Sequence, residues 1–159
     1  MKGVKLNITG DKKLLKTLNA IDGQTRLELE DALDKAAFAV KTTAVKKIQR
    51  SPASGRTYTK YSGKTGSGKS SKRKHRASAP GEPPKTDIGN LVKSIETTRI
   101  GLDAYVFTEI DYGKFLELGT IQIRPRPWLA PSYRENLDKI PKGIGKAVMT
   151  GAKKAAKKS

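Results

Sequence analysis

Between Thr25 and Arg50 the chain places Leu29, Leu33, Ala36, Ala37, Val40, Ala44 and Ile48 every three to four residues. An α-helix turns once in 3.6 residues, so these side chains form one apolar stripe. A strand could not hold them on one face, because its side chains alternate with a period of two. The stretch predicts a helix over 25–50, about 37 Å long at 1.5 Å per residue. Thr25-Arg26-Leu27-Glu28 has the spacing of a capping box, with Thr25 at the N-cap and Glu28 reaching back to its N–H. Glu28, Glu30 and Asp31 crowd the start, and Lys46, Lys47 and Arg50 the end, the order that the helix dipole favours. Ser51-Pro52 stops the helix.

The other elements are shorter. Val4, Leu6 and Ile8 alternate with polar residues, which predicts a half-buried strand ended by Gly10-Asp11. Leu14, Leu18 and Ile21 predict a short helix. Asp87 to Lys93 has room for one or two helical turns. Ser94–Ile100 and Ala104–Ile110 read as strands of a hairpin turned at Gly101-Leu102-Asp103. Asp111 is placed to cap a helix with Tyr112, Phe115 and Leu118 inward and Gly119 at its end. Arg124-Pro125-Arg126-Pro127 must be extended. Pro131 suits the first turn of a last helix whose apolar face is Tyr133, Leu137, Ile140, Ile144 and Val148. Pro141, inside that face, should kink or split it.

The chain of 159 residues suits a single domain, 1–159. It carries 33 Lys and Arg against 15 Asp and Glu, a net charge of +18. Fifteen of those eighteen charges lie in 51–76 and 139–159, neither of which holds an acid; the remainder is near neutral. Residues 51–86 are rich in Gly, Ser, Lys, Thr and Pro with almost no apolar groups, which predicts a long basic, flexible loop. Residues 150–159 read as a Lys-rich tail or as a continuation of the last helix. Arg56, Lys60, Lys64, Lys69, Lys72, Arg73, Lys74 and Arg76 are the candidate contacts to DNA or to a partner.

Composition removes several chemistries. Without Cys there is no disulfide and no thiolate metal site, and the single His75 cannot make a multi-His site. Neither a catalytic residue, a cofactor nor a metal is expected, since one His in a basic loop builds no triad. The longest apolar run, Ala36–Val40, is too short to cross a bilayer, and no secretion signal is expected at the N-terminus. Gly63–Ser70 matches the P-loop pattern G-x-x-x-x-G-K-[ST]. A working P-loop joins a buried strand to a helix, and neither flank has the apolar residues for one. Acids such as Glu109, Asp111 and Glu117 flank apolar elements and read as caps or surface groups. Trp128 reads either as an interface anchor or as core.

Two stretches taken together resemble a known family. The first is Ala79-Pro80-Gly81-Glu82-Pro83-Pro84, then Thr86-Asp87-Ile88-Gly89-Asn90-Leu91 and Ser94-Ile95. The second is Tyr112-Gly113-Lys114-Phe115-Leu116-Glu117-Leu118-Gly119-Thr120, then Arg126-Pro127-Trp128-Leu129-Ala130-Pro131. In order and spacing, over residues 20–150, this resembles the neck and tail-completion proteins of long-tailed bacteriophages, minor tail components of the head–tail connection. The departures are Asp87-Ile88-Gly89 in place of a Thr-Gly pair, Gly113 where Ala is usual, Trp128 where Phe is usual, and Pro141.

The resemblance implies a small α+β fold: a small antiparallel sheet packed against a long N-terminal helix and a C-terminal helix, with a long basic loop. It implies a structural virion protein, assembled in the host cytoplasm as a six- or twelve-fold ring of its own copies. Its other partners would be head-connector and tail proteins, and the DNA passing through the channel. The alternative that the charge offers is a basic nucleic-acid-binding protein.

Overall fold

The computed structural model describes residues 4–8, 23–61 and 72–157. Its architecture is α+β, as expected. The long helix, α1, runs Gly23–Arg50. It buries Leu29, Leu33, Ala37, Val40, Ala44 and Ile48, with Ala36 packed at the edge of the stripe. Thr25 is not the N-cap that the sequence suggests. It lies inside the helix, buried, where the last helix covers it and holds two more residues in helical form. The acids expected in the first turn sit one turn further on. There Arg26 meets Glu30 at 3.1 Å and Lys35 meets Asp31 at 2.5 Å.

A three-stranded antiparallel sheet has the order β1-β5-β4, from Val4–Ile8, Asp103–Thr108 and Ile95–Ile100. Strands β4 and β5 form the expected hairpin, with Ile100 opposite Asp103 and Gly101 in the turn at φ +61°. Strand β1 lies on the other side of β5, pairing Val4 with Thr108 and Ile8 with Ala104. The helix expected at Leu14–Ile21 lies outside the described residues.

Ile95, Ala104 and Val106 point from the sheet into the stripe of α1. At the sheet's edge Arg99 ties β4 to α1, with its guanidinium 3.1 Å from Asp34 and 3.3 Å from Glu30. The short helix α2, Asn90–Lys93, adds Leu91 to the core.

The C-terminal region is two helices where the sequence suggests one. Helix α4 is Leu129–Arg134 and α5 is Lys139–Ala156. The break falls before Pro141, which then occupies the first turn of α5, where its missing N–H has no acceptor to lose. Asn136 holds the break together. Its side-chain amide donates to Ser132 O at 2.8 Å and Thr43 Oγ1 at 3.0 Å, and its backbone carbonyl accepts from the Lys139 and Ile140 N–H groups. Leu137, expected on the apolar face, is turned out to solvent by this break. The Lys-rich end extends α5 through Ala156.

Helix α5 packs along α1, with Ile140, Ala147 and Gly151 buried. The closest approach is at Gly151, where an added Cβ would stand 2.4 Å from Thr25 Cα. Lys154 pairs with Glu28 at 2.5 Å, which also pins the two helices by charge, while Lys47 pairs with Glu135 at the end of α4.

This contact makes a prediction of opposite signs within one helix. Gly151→Ala should cost about 1–3 kcal/mol, because the helices must separate. Gly143 has nothing within 4 Å of an added Cβ, so Gly143→Ala should gain about 0.4–1 kcal/mol by restricting the unfolded chain. Urea unfolding checks both. Shifts of equal size and sign would mean that α5 is not seated on Thr25.

Candidate assembly surface and basic ribbon

Helix α3, Asp111–Leu118, is rotated relative to its expected setting. Asp111 is its first residue and Ile110 precedes it as the cap. The side facing the core is Gly113, Leu116 and Glu117. Tyr112, Phe115 and Leu118, expected inward, face outward; Phe115 is 45% and Leu118 66% exposed. Two close constraints set this rotation. A Cβ at Gly113 would stand 2.7 Å from Thr108 Cγ2 and 3.3 Å from Leu91 Cδ1, so the helix rests on β5 through a residue with no side chain. Glu117 then points at the start of α4.

The Glu117 carboxylate, buried to 7% exposure, accepts three backbone N–H groups. Trp128 donates to Oε2 at 2.7 Å, Leu129 to Oε2 at 2.8 Å and Ala130 to Oε1 at 2.9 Å. The first N–H groups of a helix have no partner within it, and a carboxylate there is also favoured by the helix dipole. Glu117 thus caps α4 from another helix. Trp128 settles into the core, fully buried, and its indole N–H donates to Gly113 O at 3.3 Å.

The remaining motif residues close the same knot. Gly119 ends α3 at φ +75°, which favours glycine. Thr120 turns the chain, its N–H bonded to Ile123 O at 2.7 Å and its hydroxyl accepting from Ile123 N at 3.0 Å. The Arg126 N–H donates to Leu116 O at 2.7 Å, while its Nε is buried without a partner among the described residues. Gly81 N–H donates to Pro125 O at 2.9 Å, which joins the first motif stretch to the second. Glu82 accepts from Ala79 N–H at 2.9 Å and from Ser54, and these bonds hold its carboxyl below the usual carboxylate range. Ser51 donates to Pro83 O, Pro84 is buried and Pro80 is exposed. Pro127 is half-buried beside Trp128, and Pro131 lies within α4.

The 51–86 segment is not a loop throughout. Thr57–Tyr61 (β2) and Lys72–Arg76 (β3) pair antiparallel as a ribbon. Apolar alternation could not announce these strands, because every residue of β2 is exposed. Charge and local bonds hold the ribbon instead. Lys60 and Arg73 face each other across it, and both pair with Asp87. His75 Nδ1 lies 3.5 Å from the same carboxylate. At the ribbon's base Gly55 N–H donates to Ala77 O at 2.8 Å and Ala77 N–H to Arg56 O at 3.0 Å.

Opposed residues share a face, so Lys60, Arg73 and His75 form the side turned to Asp87. Thr57, Thr59, Tyr61, Lys72, Lys74 and Arg76 form the other. Lys72 sits 5.7 Å from the Tyr61 ring and Arg56 5.8 Å from the Tyr58 ring, within cation–π range. Arg76 donates to Gly55 O at 3.1 Å. Lys64, Lys69 and the Gly63–Ser70 match lie outside the described residues. The described chain on either side of that match belongs to the ribbon, an arrangement unlike the strand-to-helix turn of a P-loop. Among the described residues no group of acids and His is set to hold a metal ion, and no helix is long and apolar enough to cross a membrane.

Compared with protein-family models, curated proteins and solved structures, the chain finds no match.

Two expectations follow. Glu117→Ala strands three N–H groups, and each buried orphan costs about 1–3 kcal/mol. It should lower the urea midpoint and shift Trp128 emission to the red, with Glu117→Gln losing less. An unchanged midpoint and spectrum would count against the cap. His75 is held below its ordinary value, first by burial and then by Lys60, Arg73 and Lys85. Its contribution to stability is therefore complete above about pH 6.5 and lost as pH falls through that value, where the unfolded chain takes a proton that the folded one resists. As the one histidine, it gives a clean NMR titration. Its midpoint should lie below that of a free imidazole, and lower again in Asp87→Asn.

Proposed function

We propose that this chain is a structural subunit of the phage head–tail junction, a neck or tail-completion protein that assembles as a ring between head connector and tail. The observation that carries the reading is the arrangement of the two motif stretches. The second stretch closes on itself through the Arg126 N–H on Leu116 O and the Trp128 N–H on the Glu117 carboxylate, and the Gly81 N–H on Pro125 O ties the first stretch to this knot. Gly113, Glu117 and Trp128 are spent inside the knot, and Phe115, Leu118 and Ile121 are left outside.

Apolar side chains gathered on one surface are what a subunit interface uses. In a ring each copy meets a different patch of the next, so this surface needs a partner patch elsewhere on the subunit. The stiff Arg124–Pro127 segment and the cap at Glu117 fix the angle between α3 and α4, which suits a rigid ring element. The ribbon would reach partner subunits or the DNA of the channel. The reading contains no catalytic step and no cofactor, and it places the protein in the virion after assembly in the host cytoplasm.

The test uses Phe115→Asp with Leu118→Asp. Both positions are exposed, so the melting temperature should stay within a few degrees of the parent. Light scattering and negative-stain imaging of each protein mixed with its tail partner should show ring-bearing particles for the parent and monomers for the variant. A parent that remains monomeric in that mixture, or a variant that assembles equally well, overturns the proposal.

A further inference from the structure

Helix α5 presents a second basic surface, separate from the ribbon. At 3.6 residues per turn, Lys139, Lys142, Lys146, Lys153 and Lys157 fall in a sector about 60° wide. All five are exposed, and Lys157 keeps helical backbone angles at the C-cap. The stripe is about 27 Å long at 1.5 Å per residue. The opposite side of the helix, Ile140, Ala147 and Gly151, is buried against α1.

Neutralisation from within the subunit is limited. The acids of α1 bordering the groove beside this helix are Glu28 and Asp31. Glu28 is taken by Lys154, which lies off the stripe, and Asp31 by Lys35. None of the five stripe lysines is in an ion pair among the described residues.

The chemistry of the stripe selects among polyanions. A bilayer surface takes up a basic helix by admitting its apolar face, and here that face is packed on α1. A protein partner favours Arg and aromatic anchors and disfavours Lys; the stripe is Lys alone. Single-stranded nucleic acid is held by stacking bases on aromatic rings, and α5 has no aromatic residue. What remains is a straight row of compact cations, suited to phosphates that need no forked donor and carry no sequence information. We propose that the lysine stripe of α5 binds the phosphate backbone of double-stranded DNA without sequence preference. This does not rest on ring formation, since a lone subunit carries the whole stripe.

Fluorescence anisotropy of the full chain with a mixed-sequence duplex, titrated between about 50 and 200 mM salt, tests it. The variant is Lys142→Gln with Lys146→Gln and Lys153→Gln, three exposed changes whose melting temperature should match the parent. Each lost phosphate contact removes about 0.9 from the slope of log K against log salt, so the slope should flatten by roughly 2.7. Lys72→Gln with Lys74→Gln, on the ribbon, is the comparison that separates the two surfaces. A triple variant with the parent's slope and affinity overturns the proposal, as does a parent that does not bind the duplex at low salt. Poly-glutamate competing as well as a second duplex would overturn the assignment to phosphate.

Discussion

One buried carboxylate holds together the half of the molecule that follows the hairpin. Glu117 receives the N–H groups of Trp128, Leu129 and Ala130. These three donors would otherwise face the core with no acceptor. By meeting them, Glu117 sets where α4 starts, and so sets Trp128 into the core. The position of α4 leads through Asn136 to the start of α5 and its seat on α1. The carboxylate also dictates the rotation of α3, because a helix that sends Glu117 inward must send Phe115 and Leu118 outward.

That rotation explains where pattern reading succeeded and where it stopped. Helix α1 was legible because seven apolar residues agree on one stripe, and the hairpin because β-branched strands flank a glycine turn. Helix α3 faces the opposite way from its apolar pattern. Its apolar residues, taken alone, ask to be buried, and the competing demand came from N–H groups eleven to thirteen residues away. The only local sign was Gly113, whose missing side chain marks the surface that touches β5. The sequence around Glu117 marks it as a cap or surface group, but nothing local names the N–H groups of Trp128, Leu129 and Ala130 as its target. Trp128, balanced between core and interface on sequence grounds, is core. The break before Pro141 was half legible: the proline required an interruption, and helix geometry moved it to a place where the ring costs no hydrogen bond.

The ribbon was illegible for a different reason. Periodicity detects burial, and β2 and β3 bury almost nothing. Their register shows only in three dimensions, where Lys60, Arg73 and His75 converge on Asp87. This convergence divides what sequence presented as one undifferentiated basic segment. One face of the ribbon is occupied by an internal carboxylate, and the other turns Lys72 and Lys74 to solvent. The lysines of the C-terminal region divide in the same way, with Lys154 paired to Glu28 and a stripe of five without an ion pair among the described residues.

The position of β1 has a consequence for the order in which the chain matures. Its partner is β5, almost a hundred residues later, whereas β5 pairs with β4 across a two-residue turn. Closing the short turn restricts few residues, and closing the long span restricts many. The hairpin therefore forms first and β1 joins it late. On the ribosome, at ~5–20 residues per second, the first strand waits several seconds or longer for the edge it will occupy. Until then β5 has one side open, and its unpaired N–H and C=O groups must be met by water.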